Sequence, residues 1–256
     1  MPSLIYFCLK LSKTRIVTVW CACLKKLEFW VLAFMSHTHF FTSFHTNMCI
    51  HFNFDFKKAT QALNYLAKKF GGNINKMQAI KLIYFADRYH LRKYGRPVTN
   101  DEYVAMGYGS VGSKTKDIAE NTTFLDEIES EYSKRYIKNQ GQYDIQSINE
   151  VDTDVFSDSD TEALDFAINN LGKFNQFDLA DISHAYPEWK KFEKELESGR
   201  GSAFSMNYED FFKDAEPGDE KLRLLNGKDL FVMDAEDKKV MLDYVKEQEE
   251  IKNIWG

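Results

Sequence analysis

The chain has 256 residues, of which 44% are apolar, 15% aromatic and 28% charged, so it can bury a sizeable core and is not disordered throughout. Of its 33 basic and 39 acidic residues, five basic and one acidic fall in residues 1–50; residues 51–256 therefore hold 28 against 38, a formal charge of −10. All four cysteines (Cys8, Cys21, Cys23, Cys49) precede that acidic body, which excludes a disulfide framework, a thiolate metal site and general phosphate-backbone binding there.

Residues 1–50 read unlike the rest. Ile16–Leu24 and Phe29–Met35 are apolar, but Lys25 and Lys26 separate them, so neither reaches the roughly 18 uninterrupted residues of a membrane span. A basic start before a short apolar run is close to a secretory signal, yet Trp20-Cys21-Ala22-Cys23 is a poor cleavage site. The stretch has no helical or strand period, and it is expected to be an over-extended start or a disordered segment, with Met35 or Met48 as the true first residue. The types of Cys21, Cys23, His37, His39 and Cys49 suit a metal, but their spacings match no usual zinc pair. No metal or cofactor is expected.

From Asp55 to Phe70, Ala59, Ala62, Leu63, Leu66 and Phe70 recur at three and four residues and predict an amphipathic helix ended by Gly71-Gly72. Asn75 can cap a second helix running to Tyr94, with Gly95 as its stop and a wide apolar stripe of Ile80, Ile83, Tyr84, Leu91 and Tyr94. Arg96-Pro97-Val98-Thr99 forces an extended turn. Glu102–Met106 is a short strand, and Gly107–Gly112 a glycine-rich loop opening onto a helix over Ser113–Glu120. Lys134–Ile148 reads as a hairpin turning at Asn139-Gln140-Gly141-Gln142.

Ser159-Asp160-Thr161-Glu162 has capping-box spacing and begins a helix ending near Gly172. Asp178 begins another, broken at Pro187, which suits the first turn of a helix carrying Trp189, Phe192 and Leu196. A short helix follows around Tyr208–Lys213, then an acidic connector, then a helix capped by Asp234 over Asp237–Lys252. The fold class is mainly α (α+β): a multi-helix domain over residues 51–213 with a small antiparallel sheet, followed by a connector and C-terminal helical appendage over 214–256.

The run Lys81–Thr99, with Tyr84-Phe85-Ala86-Asp87-Arg88-Tyr89-His90 at its centre, resembles the signature helix of the Panacea domain, the SocA-like antitoxin family also described as phage-associated. Tyr103–Val111 looks like that family's strand and Tyr-Gly-Pro-Val loop, with Ser110 standing where the family usually has proline. Asp181–Trp189 looks like its late Ser/Thr-His…Pro-x-Trp segment. The resemblance covers roughly Ala59 to Phe212. It implies a cytoplasmic, non-enzymatic antitoxin that neutralises a cognate toxin protein, encoded by the adjacent gene, by direct binding. One branch of the family acts instead as an adaptor delivering its toxin to a protease.

Five tyrosines lie between Tyr84 and Tyr108, a residue favoured where an apolar body meets a wet edge. Tyr84 is expected in the core, with Tyr89 and Tyr108 bordering an exposed groove; Tyr89, Arg92, Tyr108, Ser110 and Trp189 are the expected partner-binding residues. Asp87, three residues before His90, could orient its imidazole. The weightier reading makes Asp87, His90 and His184 structural, with His90 tied to His184 and His184 bonding backbone groups freed at Pro187. A small hydrolase or a zinc site built on the same three residues is the rival, short of a nucleophile in one case and of a clear third ligand in the other. Gly112-Ser113-Lys114 completes neither a Walker nor a dinucleotide pattern. The acidic C-terminal part is either a solvated face or an attraction for a basic partner. No nucleic-acid or membrane partner is expected.

Overall fold

A computed structural model describes residues 50–255, and the chain divides after Asn47, so these residues fall within the unit Met48–Gly256. The expectations for residues 1–49, including the start at Met35 or Met48 and the cysteine–histidine set, lie outside the described residues.

Everything is arranged around one helix. The first helix among the described residues, α1 (Phe56–Lys69), is capped by the Asp55 carboxylate, which accepts from Lys58 N at 3.0 Å, and leads through Gly71-Gly72 into β1 (Asn73–Asn75). Asn75 then caps α2 (Lys76–Tyr94), accepting from Gln78 N at 3.2 Å. Thirteen of the nineteen residues of α2 are buried, among them Lys81, Asp87, Arg88, His90 and Arg92. A helix buried nearly all round is a core helix, and its polar groups must therefore find partners inside the protein. Gly95 stops it in the left-handed conformation at φ 75°, returning its N–H to Leu91 O.

The mainly α fold with small antiparallel sheet structure is what the chain adopts, with its strands divided between two three-stranded sheets among the described residues. In the first, β4 (Ile137–Gln140) and β5 (Asp144–Ser147) form the expected hairpin, and β1 pairs with β5 through Ile74 opposite Ile145. Lys134–Tyr136 belong not to the hairpin but to α4 (Glu127–Tyr136), which follows α3 (Ser113–Glu120). In the second sheet, β2 (Tyr103–Met106) pairs with β3 (Gly109–Gly112) on one side and β6 (Ala203–Ser205) on the other. Gly107-Tyr108 is the two-residue turn between β2 and β3. The expected glycine-rich loop over Gly107–Gly112 is therefore a hairpin, because Ala105 and Met106 pair directly with Ser110 and Gly109.

The capping box of α5 (Asp158–Leu171) is Ser157 with Asp160, two residues earlier than expected: Ser157 Oγ accepts from Asp160 N at 3.2 Å and Asp160 Oδ2 from Ser157 N at 2.9 Å. Asn175, not Asp178, caps α6 (Gln176–His184), with Asp178 the reciprocal partner. Pro187 does open a helix, α7 (Pro187–Lys190), but Phe192 and Leu196 fall on or just before a separate one, α8 (Glu193–Glu197). Asp234 accepts from Glu236 N at 2.8 Å at the head of α9 (Ala235–Trp255). The acidic connector joins the same core: Leu222, Leu225, Phe231 and Val245 of α9 pack with the residues of α2. Glu216 and Asp219, in the acidic C-terminal part, both hold Lys190, at 2.7 and 2.8 Å.

A Cβ on Gly95 would stand 2.8 Å from the Tyr244 ring of α9 and 3.0 Å from Met241 Sδ. Gly95→Ala should therefore cost about 1–2 kcal/mol, from the left-handed backbone and the displaced ring together, read as a lower urea midpoint at unchanged m-value.

Candidate partner-binding site

Along the buried faces of α2, the polar side chains fasten several separate parts of the chain. Asp87 accepts from Val98 N at 2.9 Å, Thr99 N at 3.1 Å, Thr99 Oγ1 at 2.5 Å and Tyr103 Oη at 2.8 Å, so it holds both the turn after α2 and the start of β2. Burial pushes its carboxyl up to about 7 against those four donors. Arg88 donates to the Glu188 carboxylate of α7, with both side chains fully buried, and to Lys213 O at 2.7 Å. Tyr84 Oη donates to the same Glu188 oxygen at 2.6 Å, and the Arg88 guanidinium lies 4.2 Å from the centre of the Tyr186 ring. Burial opposes the Arg88 charge, but Glu188 and the surrounding oxygens more than offset it and raise its pKa.

Arg92 and Ser110, expected at a partner surface, are interior residues, and so is Trp189. Arg92 donates to Phe211 O, Lys213 O and Asp214 at 2.9, 3.1 and 2.5 Å, clamping the segment before the connector. The Trp189 indole N–H donates to Met106 O at 2.9 Å and pins the tip of the β2–β3 hairpin. Ser110 lies in that hairpin, and its carbonyl accepts from Lys81 Nζ at 2.6 Å. These three shape a surface from behind without presenting one.

Asp87, His90 and His184 do not converge. The His90 ring bonds Arg96 O at 2.6 Å through Nδ1 and Ser159 Oγ at 2.9 Å through Nε2, beside Asp160 at 3.4 Å. Its tie is to α5 rather than to His184, and burial lowers its pKa. Asp160 also receives Lys58 Nζ at 2.6 Å and Arg96 at 2.9 Å, which hold its carboxyl down to about 2 despite its burial. The cluster staples α1, the turn after α2 and α5 together. His184 makes none of the backbone bonds expected of it; it stacks face to face on Trp189, ring centres 3.6 Å apart, and its Nε2 has no partner. Burial, then Lys221 and Lys81, depress its pKa to about 3. Among the described residues, no group of three or more His, Cys, Asp or Glu is placed to hold a metal.

Two grooves flank α2. One, of about 380 Å³, is lined by Tyr89, Arg92, Lys93, the 230–233 segment and α9. Its Tyr89 is already committed, stacked on Phe166 at 4.1 Å and donating to Glu162 at 2.5 Å. The other, of about 490 Å³, is walled by the start of α2, the β2–β3 turn, α3 and the β4–β5 turn. Ile80, Met106 and Val111 form its apolar lining, Tyr108 and Tyr143 its rim, and Lys81 its floor. Tyr108 and Tyr143 are 67% and 66% exposed, and Phe177 of α6, 57% exposed, stands edge-on to Tyr108 at 6.4 Å. Three large aromatic rings are thus held out into solvent beside one apolar groove, and aromatic anchors dominate protein recognition.

Residues 80–190 match the family model for the antitoxin SocA-like, Panacea domain. The resemblance carried by Lys81–Thr99, Tyr103–Val111 and Asp181–Trp189 is thereby shown over that stretch. The match takes in α2 from Ile80, the β2–β3 hairpin, α3, the first sheet's hairpin and α7, hence nearly all of the larger groove; the 230–241 wall of the smaller one lies beyond it. No curated protein and no solved structure matches the chain. Among the described residues no helix is long and apolar enough to cross a membrane.

The sequence reading missed Lys81 and Glu188. A usable signal was present: Lys81, Arg88 and Arg92 recur at helical spacing with Tyr84 and Leu91, so cations stand where a core stripe needs apolar residues.

Arg88→Met and Glu188→Leu should each cost about 3–5 kcal/mol, since each strands a buried charge, and the double variant should cost clearly less than their sum; denaturant melts of all four proteins measure the coupling. A pH dependence follows from Asp87. Its folded pKa of about 7 lies above the unfolded value, so the folded chain binds the extra proton and stability falls as pH rises from about 4 to 7. Asp87→Asn should remove that fall, at most about 1.4 kcal/mol per pH unit, from urea midpoints taken across the window.

Proposed function

We propose that this chain is an antitoxin-type binding module that neutralises a protein toxin by covering it, with the larger groove as the centre of the contact. The observation that carries the reading is the coincidence of the exposed Tyr108 and Tyr143 rim, with Phe177 beside Tyr108, with the stretch that matches the antitoxin SocA-like domain. Standard interfaces bury about 1,200–2,000 Å² in total, and an apolar-lined groove with exposed aromatic rings beside it suits the buried centre of one. On this reading Arg92, Ser110 and Trp189 act from within, holding the hairpin and the 211–214 segment in place. Tyr108 touches the partner, and Tyr89 marks a secondary surface along α9.

Catalysis is not part of the proposal. His90 is held between Arg96 and Ser159, Asp87 is consumed by four donors, and neither faces the groove's apolar lining. The partner is a toxin protein encoded beside this chain, and the setting is the cytoplasm. Delivery of the toxin to a protease is the second mode open to the same surface; it would show as toxin clearance that depends on a protease.

Expression of the adjacent gene's product alone should stop growth, and co-expression of this chain should restore it with the two co-purifying. Tyr108→Ala should weaken the complex by about tenfold or more, as truncating an interface aromatic does, while its melting temperature stays within a degree or so because the ring is exposed. Unaltered affinity in Tyr108→Ala, Tyr143→Ala and Phe177→Ala alike would remove the groove from the proposal.

A further inference from the structure

Lys81 is 1% exposed, yet it lines the larger groove. Its ammonium donates to Ser110 O at 2.6 Å, and among the described residues no carboxylate forms an ion pair with it. Other cations of the interior are handled differently: Arg88 has Glu188, Arg92 has Asp214 and Lys58 has Asp160. The groove's other charges are also spoken for, Lys116 with Glu120 at 2.6 Å and Lys76 with Gln142 O at 2.9 Å. The chain makes room for the amine, since a Cβ on Gly109, at φ 87°, would lie 2.8 Å from Lys81 Nζ. A buried ammonium without a counter-ion is costly unless something charged arrives to meet it.

We propose that the groove takes a segment of the partner protein presenting an apolar side chain next to a carboxylate, with the side chain seated against Ile80, Met106 and Val111 and the carboxylate meeting Lys81. The inference deepens the antitoxin reading and rests on it for the identity of the partner. Charge complementarity selects the occupant: with Lys116 paired to Glu120, Lys76 and Lys81 leave the groove net positive on a body that is otherwise acidic. Its volume of about 490 Å³ falls in the range of about 300–1,000 Å³ that suits a ligand-sized insertion. Burial alone brings the Lys81 amine down to about 7, and an incoming carboxylate would favour its charged form. The carboxylate could belong to a chain terminus or to an Asp or Glu side chain, and both present the same oxygens.

The test needs no knowledge of the partner. N-acetyl-phenylalanine carries an apolar side chain and a terminal carboxylate; acetyl-Phe-Asp-amide carries the side-chain version; N-acetyl-phenylalanine amide carries neither charge. Binding to the full chain, followed by chemical-shift perturbation, should favour one or both acids over the amide by about tenfold or more, the range of a charge-assisted bond. Whichever acid binds identifies the source of the carboxylate. Lys81→Met should lose the preference for the acid while still binding the amide as the parent does, which shows that the groove survives the loss of the bond to Ser110 O. Equal binding of acids and amide by the unaltered chain, or no binding of any of them, overturns the proposal without recourse to a variant, as does an acid preference that survives in Lys81→Met. The two readings fail separately. If the adjacent gene's product binds and Tyr108→Ala weakens it while the acid preference is absent, the antitoxin reading stands and the carboxylate inference falls. If the acids bind through Lys81 but the neighbour is harmless, the reverse holds.

Discussion

The fully buried pair of Arg88 and Glu188 is the interaction on which the rest of the architecture depends. It joins the middle of α2 to α7, takes in Tyr84 on the same carboxylate, and reaches through the second guanidinium nitrogen to the backbone at Lys213. Isolated from water, such a pair relies on fixed geometry and on the bonds around it; here Tyr84 and Lys213 O supply them, while Arg88 Nε and Glu188 Oε2 have no partner. Segments far apart in the chain must therefore reach one arrangement together. Asp87, the preceding residue, and Arg92, one helical turn further on, extend the same logic to the turn at Val98-Thr99 and to Phe211–Asp214.

That rigidity is what makes the groove a site. The wall formed by the β2–β3 turn is held at both ends, by the Trp189 indole on Met106 O and by Lys81 on Ser110 O. Tyr108 at the tip is then presented at fixed position with its ring in solvent, which lowers the ordering cost of binding. The same ammonium that props the hairpin forms the groove floor, so the polar chemistry of the core and that of the surface meet in one atom.

How much of this was legible in the sequence differs by feature. The helices with strong apolar periods, α1 and α2, and their caps Asp55 and Asn75 could be read because both signals are local. β1 and β6 could not: three-residue strands of Asn73–Asn75 and Ala203–Ser205 exist only by pairing with distant β5 and β2. The Gly107–Gly112 stretch looked like a loop by composition, and its strand character comes from its register against β2. Tyr108 was placed at a groove by the density of tyrosines around it and lines the larger one, whereas Arg92 and Trp189 were drawn to the surface by residue type although the fold buries both. His90 and His184 were linked on paper by chemistry alone; the chain pairs the first with Ser159 and the second with Trp189, partners no spacing rule reveals.

The most direct test of the account is a map of backbone amide protection, by hydrogen exchange, on this chain free and bound to the product of the neighbouring gene. The account predicts that binding slows exchange around the larger groove, at the start of α2, in residues 106–112 and around Tyr143, with the 230–241 segment little changed. Protection concentrated instead at 230–241 and α9, with the β2–β3 turn exchanging as in the free chain, would contradict it.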